Sequence, residues 1–169
     1  MNNLEQKPWW NYLEEDVREL IAESFLLLDI FQNRSQEGQD INKFHDYSFV
    51  VFPAAKAYEG FLKKLFFNLN FISRDDYYGS RFRIGKALNP SLEEKYRTES
   101  VYDKLVDYTS DVKVADLLWV TWKDSRNMLF HWFPDEKRAI TLEEAKIKLD
   151  EIIIAVEAAI KGCKINLTN

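Results

Sequence analysis

The sequence predicts an all-α fold, an antiparallel helical bundle with a long irregular connection between its second and third long helices. Three observations carry this expectation. Apolar residues recur three and four apart along four separate stretches, no strand-like alternation persists, and only five glycines occur in 169 residues. With 46% hydrophobic and 15% aromatic residues, the chain has the material for a packed core. Its length suits one domain, residues 1–169, because folding at this size hides roughly two thirds of the surface of the unfolded chain.

The first long helix is expected soon after Pro8, where Leu13, Val17, Leu20, Ile21, Leu27, Leu28 and Phe31 keep helical spacing. The polar run Ser35 to Asp40 then reads as an exposed loop. In the second helix Ala55, Tyr58, Leu62, Leu65, Phe66 and Leu69 form the apolar stripe, and Pro53 either starts or kinks it. Ser73 to Pro90 contains Gly79, Gly85 and many charges, the composition of a long connection with at most short helical turns. Short helices follow at Leu92–Arg97 and Val101–Tyr108. A third long helix is expected from about Asp111 to His131, with Trp132-Phe133-Pro134 marking its end. The last helix has a capping box of Thr141 and Glu144, a stripe from Leu142 through Ile160, and Gly162 as its stop.

Charge and cysteine content narrow the function classes. A net charge of −5 gives no whole-molecule field that would gather nucleic acid, so any RNA site must be local. The basic residues Arg74, Arg81, Arg83 and Lys86 of the long connection, interleaved with Tyr77, Tyr78 and Phe82, could supply phosphate contacts and stacking faces. The same segment also reads as a solvated loop pinned by its aromatics. Lys56, off the stripe of the second helix, joins Arg74, Arg81 and Arg83 as a candidate RNA contact. Lone Cys163 excludes an intramolecular disulfide and a cysteine-rich zinc site, and reads as an incidental thiol in a reducing cytoplasm. The N-terminal residues lack a signal-peptide pattern, and the apolar clusters fall short of the roughly 20 residues that span a bilayer, so a cytoplasmic location away from membranes is expected. Metal-ligand spacings, GxGxxG and Walker patterns are absent, so neither metal nor cofactor is expected.

Arg126 and His131 are the informative pair. Arg126 falls within the apolar stripe of Ala115, Leu118, Trp119, Trp122 and Leu129, and a guanidinium there needs a carboxylate, phosphate or backbone acceptor. Glu59, at the edge of the second helix's stripe, is the best candidate. The two either form a structural pair or hold a site together. His131, at the expected helix end, would be favoured in its protonated form by the helix dipole, which suits a proton donor. His45, just before the second helix, reads as a surface or capping residue.

The run Arg126-Asn127-Met128-Leu129-Phe130-His131 resembles the signature of the HEPN ribonucleases: arginine, a polar residue, three variable positions and histidine. Within that superfamily the chain is most similar to the C-terminal domain of RNase LS-family toxins. The segment Tyr47 to Leu65, including Pro53-Ala54-Ala55-Lys56-Ala57-Tyr58-Glu59, resembles the helix that carries the acid of that family. The resemblance implies a HEPN-like bundle and metal-independent cleavage of RNA to 2′,3′-cyclic phosphate and 5′-hydroxyl ends. Glu59, Arg126, Asn127 and His131 would be the catalytic residues. It further implies a homodimer, since residues five apart on a regular helix diverge by about 140° and the family meets this with motif helices paired across two protomers. Phe130, Trp132 and Phe133 are the expected anchors of that pairing. The resemblance is compatible with a toxin, an antiphage or a routine RNA-processing role, and with an antitoxin protein as partner. Relatives paired with nucleotidyltransferases carry a tyrosine two positions beyond the histidine, where this chain has Phe133. The alternative is a non-catalytic RNA- or protein-binding module that keeps Arg126 and His131 for packing.

Overall fold

Among the described residues seven α-helices form where the apolar spacing is helical or a side chain caps the first turn: α1 (Glu15–Gln36), α2 (Ser48–Asn68), α3 (Arg74–Tyr78), α4 (Ile84–Ala87), α5 (Val101–Thr109), α6 (Val112–Trp122) and α7 (Leu142–Gly162). The computed structural model describes residues 4–36, 44–132, 134 and 139–167, and among these there is no strand. Two 3-10 turns, Leu4–Gln6 and Trp10–Tyr12, precede α1, and a third covers Glu94–Glu99. The short helix expected at Leu92–Arg97 is this 3-10 turn, two residues later. The loop expected from Ser35 begins later too, since α1 continues through Gln36, and residues 37–40 lie outside the described residues.

Contacts between side chains and between backbones fix the directions of the four long elements. Lys64 near the end of α2 pairs with Glu14 at 2.8 Å, and Asn68 Nδ2 donates to Tyr12 Oη at 3.0 Å, so the end of α2 meets the start of α1. Tyr47 N donates to the Ile140 carbonyl at 2.9 Å, which brings the starts of α2 and α7 together. Gly162 at the end of α7 lies against Val114 at the start of α6. The bundle therefore runs up, down, up, down through α1, α2, α6 and α7. Its centre is α2, where Val50, Val51, Tyr58, Phe61, Leu62, Leu65 and Phe66 are buried. Each such side chain contributes about 1.5–3 kcal/mol by leaving water.

Pro53 does not start α2, which begins five residues earlier at Ser48, but lies inside it. A proline inside a helix breaks the hydrogen-bond ladder, and here the neighbouring strand of the ladder is repaired from outside. The Ala54 N–H donates to Ser24 Oγ of α1 at 2.8 Å, with both residues buried. The expected amphipathic face of α1 thus contains a hydroxyl with a defined task.

The third long helix departs most from expectation. Instead of continuing to His131, α6 ends at Trp122 and the chain enters a π-helical segment, Lys123–Asn127. Met128 N donates to the Lys123 carbonyl at 2.8 Å, an i to i+5 closure that places one more residue in the turn than an α-helix does. Such turns recur at functional sites. His131 follows four residues past this segment and is not helical, so it lies beyond the last turn where a helix dipole acts. Of the Trp132-Phe133-Pro134 stop signal, Phe133 lies outside the described residues.

The last helix begins as expected, with Thr141 and Glu144 forming a capping box. The helix ends at Gly162, as expected, and this glycine has a second role. A Cβ there would lie 2.5 Å from Val114 Cγ2, so the glycine admits the close approach of α6. Cys163 is fully buried, and burial pushes its thiol up to about 11. It is a core residue. His45 is exposed, as expected.

Candidate active site

Glu59 projects from the fourth turn of α2, and Arg126 from the π segment that packs against α2 and α7. They meet as an ion pair, Arg126 Nε to Glu59 Oε1 at 3.0 Å. Trp122 Nε1 donates to the same carboxylate oxygen at 3.4 Å. Tyr58, one residue before Glu59, sets the register between the helices by donating to the Leu118 carbonyl at 3.3 Å. Full burial pushes the Tyr58 hydroxyl well above its ordinary value, so it stays a donor.

The pair stands partly in solvent, with the Arg126 side chain 38% and Glu59 31% exposed. An ion pair of that kind contributes about 0.2–1 kcal/mol, too little to explain a carboxylate held by two donors on stability grounds. Its stronger effect is orientation. A guanidinium has five donors, and the Nε contact leaves the terminal nitrogens with capacity for another acceptor.

Trp122 reaches Glu59 because Gly85 of α4 has no side chain. A Cβ on Gly85 would lie 2.8 Å from Trp122 Cζ3 and 2.9 Å from Cζ2, with Cη2 nearer still. Trp119 stacks on Trp122 with centroids 5.7 Å apart and an 18° interplanar angle. The indole is therefore clamped between α4 and Trp119, and the hydrogen bond to Glu59 follows from that clamp.

Two depressions meet at the Glu59–Arg126 pair. The smaller, about 260 Å³, is lined by Phe52, Ala55, Lys56 and Phe130 together with the pair. The larger, about 530 Å³, adds Lys63, Phe82, Arg83, Ile84, Gly85, Lys86, Trp122 and Asn127. Glu59 is the one carboxylate in this combined lining, against Lys56, Lys63, Arg83, Lys86 and Arg126. A chain with net charge −5 thus carries a locally cationic cleft. Two of these cations are held by carbonyls, since Lys63 Nζ donates to Gly79 O at 3.1 Å and Arg83 Nη1 to Ser80 O at 2.6 Å.

The residues singled out in the sequence separate into three groups. Glu59, Arg126, Asn127, Lys56 and Arg83 line the two depressions. His131 is exposed and lines neither, although its neighbour Phe130 lines the smaller one and packs edge-on to Phe52 at 5.3 Å. Arg74 also lies outside them, with its guanidinium 5.5 Å from the Tyr78 ring, and Arg81 lines a third cavity that adjoins the larger depression. Sequence reasoning missed Lys63, Trp122 and Gly85. Lys63 is one helical turn beyond Glu59, a spacing that marks a shared face. No local signal could have tied Gly85 to Trp122.

Fold and site together define an all-helical bundle that carries a carboxylate-anchored arginine in a cationic cleft. No family model matches the chain, and neither a curated protein nor a solved structure matches it. Among the described residues no group of three or more histidine, cysteine, aspartate or glutamate side chains is placed to hold a metal ion, and no helix is long and apolar enough to cross a membrane.

Proposed function

We propose that the protein is a metal-independent endoribonuclease that cleaves RNA to 2′,3′-cyclic phosphate and 5′-hydroxyl ends, in a toxin or defence role. The observation that carries this reading is the Glu59–Arg126 pair at the junction of two depressions walled by four further cations. Arginine matches phosphate geometry through paired donors, and a preoriented guanidinium stabilises charge that develops on the phosphorus oxygens.

In the proposed reaction the 2′-oxygen attacks the adjacent phosphorus while its proton passes to a base. The bond from phosphorus to the 5′-oxygen breaks, and that oxygen takes a proton from an acid. Arg126 stabilises the intervening phosphorane, Glu59 holds Arg126 in position, Asn127 contributes an amide to the wall of the larger depression, and His131 transfers a proton. His131 does not line the cleft of its own protomer, so it acts at the site of a partner copy in a homodimer. Phe52 and Trp132, 55% and 83% exposed, are apolar surface that such a pairing would cover. An antitoxin protein would act by covering the same cleft.

A binding module without catalysis is the second reading, and the observation that favours it is this same position of His131 outside the depressions. Labelled single-stranded RNA incubated in EDTA with wild type, Arg126→Ala and His131→Ala separates the two. Cyclic-phosphate products that fall at least about a hundredfold in both variants are expected, with DNA resistant for lack of a 2′-hydroxyl. No cleavage by folded, dimeric wild type would overturn the ribonuclease in favour of the module.

A further inference from the structure

A third cavity, of about 480 Å³, lies beyond the larger depression. Phe82, Arg83 and Lys86 line both, so the cavity continues the cleft that contains Glu59 and Arg126. Ile72 and Ala87 are buried in its lining, and Phe71 and Leu92 are half-buried. Its charged residues are Arg81, Arg83, Lys86 and Lys104 against Asp76 and Glu99.

Most of these charges are engaged within the protein. Lys86 pairs with Glu99 at 3.1 Å and stands 4.3 Å from the Tyr96 ring centroid. Lys104 Nζ donates to Phe71 O at 2.8 Å, which ties α5 to the apolar wall. Asp76 Oδ2 accepts from Ser73 N at 3.1 Å and Ser73 Oγ at 2.7 Å, and these bonds hold its carboxyl below the ordinary aspartate value. Arg81 differs, making no hydrogen bond or ion pair to a described residue. An exposed guanidinium therefore faces a cavity that has, among its polar lining residues, an apolar wall of Phe71, Ile72, Ala87 and Leu92. That is the combination with which proteins hold an unpaired nucleotide: a cation for the phosphate and a flat apolar surface for the base. The volume falls in the range of small-ligand pockets.

We infer that this cavity binds a single-stranded RNA nucleotide flanking the cleaved bond, with its phosphate on Arg81 and its base against the wall of Phe71, Ile72, Ala87 and Leu92. The inference rests on the ribonuclease reading, because the continuity of the cleft is what assigns occupant and reacting phosphate to the same strand. Base-paired RNA is excluded, since a base must leave its stack to enter. Substrates too short to reach from Arg126 to Arg81 lose affinity.

The test uses a fluorescein-labelled, all-2′-O-methyl single-stranded RNA of mixed sequence, which has no attacking hydroxyl. Its binding is followed by anisotropy with wild type, Arg81→Glu, Thr98→Trp and Arg126→Ala. Thr98 is exposed and lines the cavity, so an indole there fills the space while leaving every cation in place. Arg81→Glu and Thr98→Trp are each expected to weaken binding at least about tenfold, the effect of losing one stacked base or charged contact, with unchanged thermal unfolding. Wild-type affinity in both variants would overturn the inference, and if Arg126→Ala still abolished cleavage of ordinary RNA the ribonuclease would stand without this pocket. Loss of binding in both variants, with no cleavage of ordinary RNA by wild type, would uphold a nucleotide pocket and overturn the ribonuclease. No binding by wild type would overturn the inference outright.

Discussion

Replacing Gly85 with alanine tests the clamp that presents Trp122 to Glu59. In an ordinary helix this change stabilises by about 0.5–1 kcal/mol, because glycine loses more backbone entropy on folding. Here the new methyl would stand 2.8 and 2.9 Å from two indole carbons, against the 3.5–4.0 Å at which carbon contacts are favourable. Either α4 or the indole must shift by about 1 Å. Overpacking of that kind costs about 1–3 kcal/mol, so it outweighs the helix gain and Gly85→Ala is expected to destabilise by about 1–2 kcal/mol. For a chain of this length the thermal midpoint should fall by roughly 2–8 °C, measured by circular dichroism. Trp122→Phe removes the crowding carbons Cζ2, Cζ3 and Cη2, so in that background the alanine is expected to be neutral or stabilising. An equal effect of Gly85→Ala in both backgrounds would refute the clamp and with it the account of how Trp122 reaches Glu59.

Ser24→Ala leaves the buried Ala54 N–H without an acceptor and is expected to cost about 1–3 kcal/mol in urea unfolding, with no change in RNA affinity. Glu59→Gln keeps the volume of the side chain and removes its charge from Arg126. Stability is expected to change by less than about 1 kcal/mol while cleavage falls at least about tenfold, and an unchanged cleavage rate would show that Glu59 does not position the arginine. Cys163 is expected to resist alkylation by iodoacetamide at pH 8 in the folded protein and to react once the protein is unfolded. Its thiol titrates at about 11 when folded against 9.0 otherwise. The proton is therefore held more tightly by the folded state, and the stability linked to it is full below pH 9 and lost as pH rises through about 11; Cys163→Ala should flatten the unfolding profile over that range.

Local features of the sequence determined the helices. Apolar residues three and four apart can be buried together only on one helical face, and capping residues satisfy the first N–H groups wherever the chain goes next. The box of Thr141 and Glu144 is where it was expected. The pairing of Arg126 with Glu59 was also legible, because a guanidinium on an apolar stripe must find an acceptor and few carboxylates border a facing stripe.

The tertiary structure decided what depends on groups distant in sequence. A count at 100° per residue cannot register an i to i+5 closure, so the π segment that carries Arg126, and the early end that leaves His131 outside the cleft, had no periodic signature. Pro53 continues its helix because Ser24, on another helix, receives the N–H of Ala54. Gly85 and Trp122 are paired by packing alone, and the run of cations from Lys56 to Arg81 becomes one cleft only when α2, α4 and the π segment come together. Sequence by itself determined where most of the helices lie and which arginine needs a partner; the packing of those helices decided which side chains share a cavity, since that is set by contacts between residues tens of positions apart.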